Sequence, residues 1–107
     1  MEEYPFKVKY HEKYVKWYSK LKDERARARI SAQVKRIREF GDFGDCEFFD
    51  NDVWEFRVHY GPGYRVYYTR VDDKVVLLLC GGKKSSQKRD IKRAMKLAKE
   101  VKSEKED

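Results

Sequence analysis

Hydrophobic and polar positions alternate with two different periods along the chain, and the change of period divides it. Phe6-Lys7-Val8-Lys9-Tyr10 alternates apolar and basic residues, which predicts a half-buried strand. Tyr14, Trp17, Tyr18 and Leu21 then recur at the spacing of one helix face. Asp23 is placed to cap a second helix, whose inward residues are Ile30, Val34 and Ile37 and which Gly41 is placed to end. With almost no linker between them, the two helices predict an antiparallel hairpin. From Val53 to Tyr60 the period becomes two, with Trp54, Phe56, Val58 and Tyr60 on one face and Glu55, Arg57 and His59 on the other. Gly61-Pro62-Gly63 predicts a turn, Tyr64 to Arg70 the return strand, and Asp72-Asp73 the next turn. Lys74 to Cys80 reads as a third strand covered on both faces and broken by Gly81-Gly82. Ser85 or Ser86 leads into a last helix that buries Ile91, Ala94, Met95, Ala98 and Val101, with residues 103–107 expected to fray. The expectation is one α+β domain over residues 1–107, its helices packed on a single antiparallel sheet.

Composition adds charge to this picture. The 107 residues carry 26 Lys and Arg against 19 Asp and Glu, a net charge of +7, and the charge is segregated. Lys7 to Arg38 holds twelve basic and three acidic residues, Glu39 to Glu55 seven acidic and no basic ones, and Lys83 to Lys102 nine basic and two acidic. Two basic blocks around an acidic middle point to a polyanionic partner, or to solvated helix faces in a charge-rich protein. The longest apolar run, Val75 to Cys80, is far too short for a membrane span, and the first residues lack a secretory signal. A cytoplasmic protein without membrane contact is therefore expected. Two cysteines and two histidines, none at ligand spacing, predict neither a disulfide framework nor a metal site, and no cofactor.

Candidate chemistry concentrates on the polar face of the second-half sheet. Glu55, Arg57 and His59 share that face with Arg65 on the paired strand, within reach of one small ligand. Two guanidiniums beside an imidazole suit a phosphate and a proton transfer, although a solvated sheet face has the same look. Lys83, Lys84, Ser85, Ser86 and Gln87 follow the third strand and open the last helix, a second place for an anion. Cys46 and Cys80 have no neighbouring histidine to activate them and read as inert thiols.

The run from Glu55 to Tyr68, with Gly-Pro-Gly-Tyr-Arg at 61–65, and the run from Val75 to Gln87, with Cys-Gly-Gly-Lys-Lys-Ser-Ser-Gln at 80–87, resemble the RelE/ParE/HigB toxin superfamily. The resemblance is to its phage-derived, addiction-module killer branch, and Lys22 to Ile30 and Gly41 to Asp45 are similar too. It implies a RelE-like fold and the toxin of a type II toxin–antitoxin pair. RelE-like and HigB-like members are metal-independent endoribonucleases that cut mRNA on the ribosome through the ribose 2′-OH, leaving a cyclic phosphate. ParE-like members share the fold and inhibit DNA gyrase, which is the alternative function here. By resemblance, Arg65 contacts the scissile phosphate, Arg57 falls at a basic position, and Lys84 lies where an arginine stabilises developing charge. Glu55 stands where RelE proper has its lysine base, and the family's C-terminal acid has no clear counterpart, Gln87 or Asp90 lying nearest. His59 or Glu55 is then the proton-transfer candidate. Lys83, Ser85, Ser86 and Gln87 are expected to hold RNA backbone, and Tyr60, Tyr64 or Tyr67 to stack on a base. The implied partners are mRNA, the ribosome, and a cognate antitoxin, acidic or of helix-turn-helix type.

Overall fold

The computed structural model describes residues 3–106. In chain order it contains β1 (Lys7–Tyr10), α1 (Glu12–Lys20), α2 (Glu24–Phe40), β2 (Cys46–Phe49), β3 (Val53–Val58), β4 (Tyr64–Asp72) and β5 (Val75–Lys83). A 3-10 turn at Lys84–Ser86 then opens α3 (Gln87–Glu106). The strands form one sheet in the order β1-β5-β4-β3-β2, antiparallel except for the parallel β1–β5 pair. This is the expected α+β architecture. None of the described helices is long and apolar enough to cross a membrane.

Local chemistry sets the ends of the hairpin. The His11 Nδ1 accepts from the Lys13 N–H at the start of α1. The Asp23 carboxylate accepts from the Arg25 and Ala26 N–H groups at 3.0 and 3.2 Å, the cap that its sequence position predicts. Gly41 closes α2 in the left-handed conformation at φ 67°, its N–H returning to the Ile37 carbonyl.

The sheet has a core on each face, because strand alternation sends apolar side chains both ways. On one face Tyr14, Ile30, Val34 and Ile37 from the hairpin pack against Phe56, Val66, Tyr68, Val76 and Leu78. On the other, Ala94, Leu97 and Ala98 of α3 cover Val53, Tyr67, Leu79 and Cys80. Leu79 and Cys80 both turn to the α3 side because the β4–β5 register shifts between Tyr67 and Tyr68.

Two local expectations change. β5 does not stop at Gly81-Gly82 but continues through them to Lys83. The glycines allow close approach: a Cβ on Gly81 would lie 2.4 Å from the Trp17 ring, and one on Gly82 would lie 1.9 Å from Asp90 Oδ2. β2 is a strand that periodicity does not reveal, joined to β3 through Asn51 and Asp52 at φ 61° and 57°. α3 is helical through Glu106, and its Lys102 is paired to Asp52 in the β2–β3 turn. Asp107 lies outside the described residues.

Candidate functional site

The period-two pattern of β3 carries Glu55 and Arg57 to the α3 side of the sheet, where Arg57 lies opposite Arg65 and Arg65 opposite Gly82. The first turn of α3 closes over this row. Glu55, fully buried, sits at its centre. Its Oε1 accepts from Arg57 Nε at 2.9 Å and Arg65 Nη1 at 2.8 Å, and its Oε2 accepts from Gln87 Nε2 at 3.0 Å. A buried carboxylate survives here because two guanidiniums and an amide replace its water.

Arg57 is shared further. Its Nη1 reaches Asp45 Oδ1 at 3.0 Å and its Nη2 reaches Glu47 Oε2 at 2.5 Å, so one guanidinium meets three carboxylates. Desolvation works against its charge, but Glu55, Asp45 and Glu47 outweigh that and raise its pKa. Arg65 differs: Nη1 binds Glu55, and among the described residues its other nitrogens have no ion-pair partner. Its side chain is 11% exposed.

His59 stands at the exposed rim, Nε2 2.6 Å from Asp45 Oδ2. That hydrogen bond is the largest influence holding the Asp45 carboxyl below its usual range, with Arg57 adding to it against a desolvation penalty. A carboxyl with a lowered folded pKa contributes stability above its unfolded value of about 3.9 and loses it as pH falls through the folded value. Carboxyl NMR titration should therefore place the Asp45 midpoint below about 3.9, and His59→Ala should move it upward. An Asp45 midpoint unchanged by His59→Ala would contradict the pairing.

Behind Glu55 the Tyr67 hydroxyl is buried without a hydrogen-bond partner, near Glu55 but outside hydrogen-bond geometry. Burial, then the charges of Glu55 and Asp90, raise its pKa and keep the phenol neutral. Asp90 is buried over Gly82 and accepts from the Ser86 hydroxyl. Burial pushes the Cys80 thiol up to about 12, so it is inert, whereas Cys46 lies exposed on the β2 edge.

The structure thus brings Glu55, Arg57, Arg65 and Gln87 together and sets His59 beside them. Lys84 is exposed next to the Gly61–Gly63 turn, its N–H donating to the Gly63 carbonyl at 2.8 Å. Lys83 and Ser85 are exposed, while the Ser86 hydroxyl is committed to Asp90 and the Lys83 carbonyl. The tyrosines need correction as stacking residues. Tyr64 is buried against Trp17 and Tyr67 beneath α3, so neither offers a free ring face. Tyr60 turns to the hairpin side, its hydroxyl donating to Asp23 and its ring under the Arg29 guanidinium at 4.8 Å. Asp45 and Glu47 are the site residues that sequence reading missed. Their signal was the acidic run from Glu39, which here supplies partners to Arg57 and His59.

A family model described as phage-derived protein Gp49-like matches residues 16–103. An uncharacterized protein of Haemophilus influenzae is 48% identical over 85 residues, covering 79% of this chain and 85% of that one. Among solved structures, a chain of the intact E. coli RelBE toxin–antitoxin complex superposes with a TM-score of 0.61 at 21% identity, covering 73% of this chain and 95% of that chain. A mutant of the E. coli toxin RelE in the free state gives a TM-score of 0.63 at 21% identity, covering 78% and 88%. At that identity the two structures establish a shared fold.

Proposed function

Since the chain belongs to the phage-derived Gp49-like family and has the fold of RelE, we propose that it is the toxin of a toxin–antitoxin pair, a metal-independent endoribonuclease cutting mRNA on the ribosome. The observation that carries this reading is the in-register Arg57–Arg65 pair: each Arg57 nitrogen meets a carboxylate, whereas among the described residues Arg65 Nε and Nη2 meet none and are the donors offered to a phosphate. In this reading Arg65 takes the scissile phosphate, and Arg57 holds Glu55, Asp45 and Glu47 in place. Glu55 has both oxygens engaged, which leaves His59 as the proton acceptor. With Nε2–H donating to Asp45, Nδ1 is free to accept the 2′-OH proton, and Asp45 stabilises the imidazolium that forms. The 2′-O–P bond forms, the P–O5′ bond breaks, and water supplies a proton to O5′ while the His59 imidazolium later returns its proton to solvent, leaving a cyclic phosphate. Lys84 at the rim offsets charge developing on the phosphate. The proposed partners are ribosome-bound mRNA in the cytoplasm and an antitoxin, acidic or of helix-turn-helix type.

Cell-free translation with purified protein, followed by primer extension on the message, tests the proposal. Cleavage within codons, present only when ribosomes are engaged, is the expected result. Intact message with continuing translation and inhibited DNA supercoiling would replace this reading with gyrase inhibition.

A further inference from the structure

β1 pairs with β5 only from Val75 to Leu78, yet β5 continues to Lys83. Beyond Leu78, no strand among the described residues lies beside the edge of β5 that faces away from β4. That edge forms the floor of an open notch of about 340 Å³ between α1 and α3. Gly81 and Gly82 line it and are both buried, Gly81 under the Trp17 indole and Gly82 under the Asp90 carboxylate. Trp17 of α1 forms one wall, its half-buried indole resting on Gly81 with Tyr64 edge-on behind it, ring centroids 6.4 Å apart. Lys83 and, one helical turn apart on α3, Arg89 and Arg93 supply three exposed cations. Among the described residues Lys83 and Arg93 have no ion-pair partner, and Arg89 lies 4.0 Å from Asp90. Asp90 is the lone carboxylate of the lining, and it is buried and turned to Ser86. The mechanism proposed above uses neither Trp17, Arg89 nor Arg93.

We propose that this notch is a sequence-tolerant subsite for single-stranded RNA, with a base laid against Trp17 and adjoining phosphates held by Lys83, Arg89 and Arg93. An aromatic platform beside a run of cations is the usual construction for binding a single strand without reading its bases. The lining offers no row of apolar pockets for alternate side chains of a peptide strand, which favours a nucleic acid over an acidic peptide. Gly82 is the register partner of Arg65, and neighbouring strands lie about 4.8 Å apart, so the notch floor lies one strand from Arg65, with the first turn of α3 between them. The inference rests on the reading of the chain as an RNA-cleaving toxin and names where the message runs beside the cut.

The test is binding of a short 2′-O-methyl oligouridylate, which has no 2′-OH to react, followed by NMR and by titration at several salt concentrations. The Trp17 indole N–H and the Gly81–Lys83 amides should shift. Arg89→Ala/Arg93→Ala, exposed positions that leave the cores intact, should weaken binding on the order of tenfold and lower the salt slope by about 1.4, the share of two phosphate contacts on a single strand. Unchanged affinity and slope in the double variant, or shifts confined to other residues, would overturn the notch. So would notch resonances that answer a poly-glutamate peptide and not the oligonucleotide. Ribosome-dependent cleavage by the wild-type protein, measured in parallel, keeps the two apart: cleavage with an unresponsive notch sinks only the subsite, and absent cleavage sinks the nuclease reading.

Discussion

Arg65→Ala should abolish growth arrest on induction while leaving a folded, soluble domain. The two halves of that expectation have separate physical grounds. Among the described residues Arg65 is the site guanidinium with nitrogens that meet no carboxylate, and removing a preorganised donor to a developing charge costs on the order of 10²–10³ in rate. The fold tolerates the loss because Glu55 keeps Arg57 Nε on one oxygen and Gln87 on the other. The stability cost should therefore stay near 1–3 kcal/mol, the range for a weakened charged hydrogen bond. Arg65→Lys keeps the charge but not the planar fork, so it should recover only part of the activity. Growth curves together with circular dichroism of the purified variants check both halves. Full toxicity from folded Arg65→Ala protein would remove Arg65 from the mechanism.

Arg57→Ala makes the contrast that assigns the two arginines. Arg57 joins Glu55, Asp45 and Glu47, and the structure offers those carboxylates few other cations. Its loss is a structural injury as well as a chemical one, whereas the loss of Arg65 is chiefly chemical. Sequence reading could not separate them. The alternation of Val53 to Val58 is local, so it puts Glu55 and Arg57 on one face, whereas His59 lies past the end of β3 and joins them through Asp45. The capping of α2 by Asp23 and its arrest at Gly41 were legible for the same reason. What closes over the face depends on long-range packing. That Gln87 and Asp90 fold back onto Glu55 and Gly82 follows from α3 docking through Ala94, Leu97 and Ala98. Nothing within a few residues of Glu55 announces that burial. Tyr64 and Tyr67 were misread for the same reason, since a strand pattern gives the face of a side chain and not what covers it. β2 was missed because Cys46, Glu47 and Phe48 are exposed, and it becomes a strand through its pairing with β3. Gly81-Gly82 read as a break because glycine usually punctuates, yet here it admits an indole on one side and a carboxylate on the other. The acidic middle, legible as charge alone, proves to be the internal partner of Arg57 and His59.

Glu55→Ala should produce the largest loss of stability of any single change in the site. Among the described residues it takes the only ion-pair partner from Arg65 and one of three from Arg57, leaving a mostly buried guanidinium without a counter-charge. Breaking a buried pair on one side costs roughly 3–5 kcal/mol, a large part of the 5–15 kcal/mol that a domain possesses. For a domain near this size that corresponds to a fall in Tm on the order of 10–20 °C. The decisive comparison is the double variant Glu55→Met/Arg65→Met. Replacing both partners by apolar side chains of similar length removes the uncompensated charge, so the double variant should be more stable than Glu55→Ala although it lacks more of the native network. A double-mutant cycle built from urea unfolding should return a coupling energy of about 1–3 kcal/mol between positions 55 and 65. If Glu55→Ala instead unfolds within about 0.5 kcal/mol of the wild type, the guanidiniums are not held by Glu55. Activity adds the last discrimination. At a temperature where Glu55→Gln is still folded, the amide keeps the side chain's shape but cannot balance two guanidiniums. RNA cleavage should then fall with Arg65 intact, because an arginine that is not held cannot present its free edge to a phosphate.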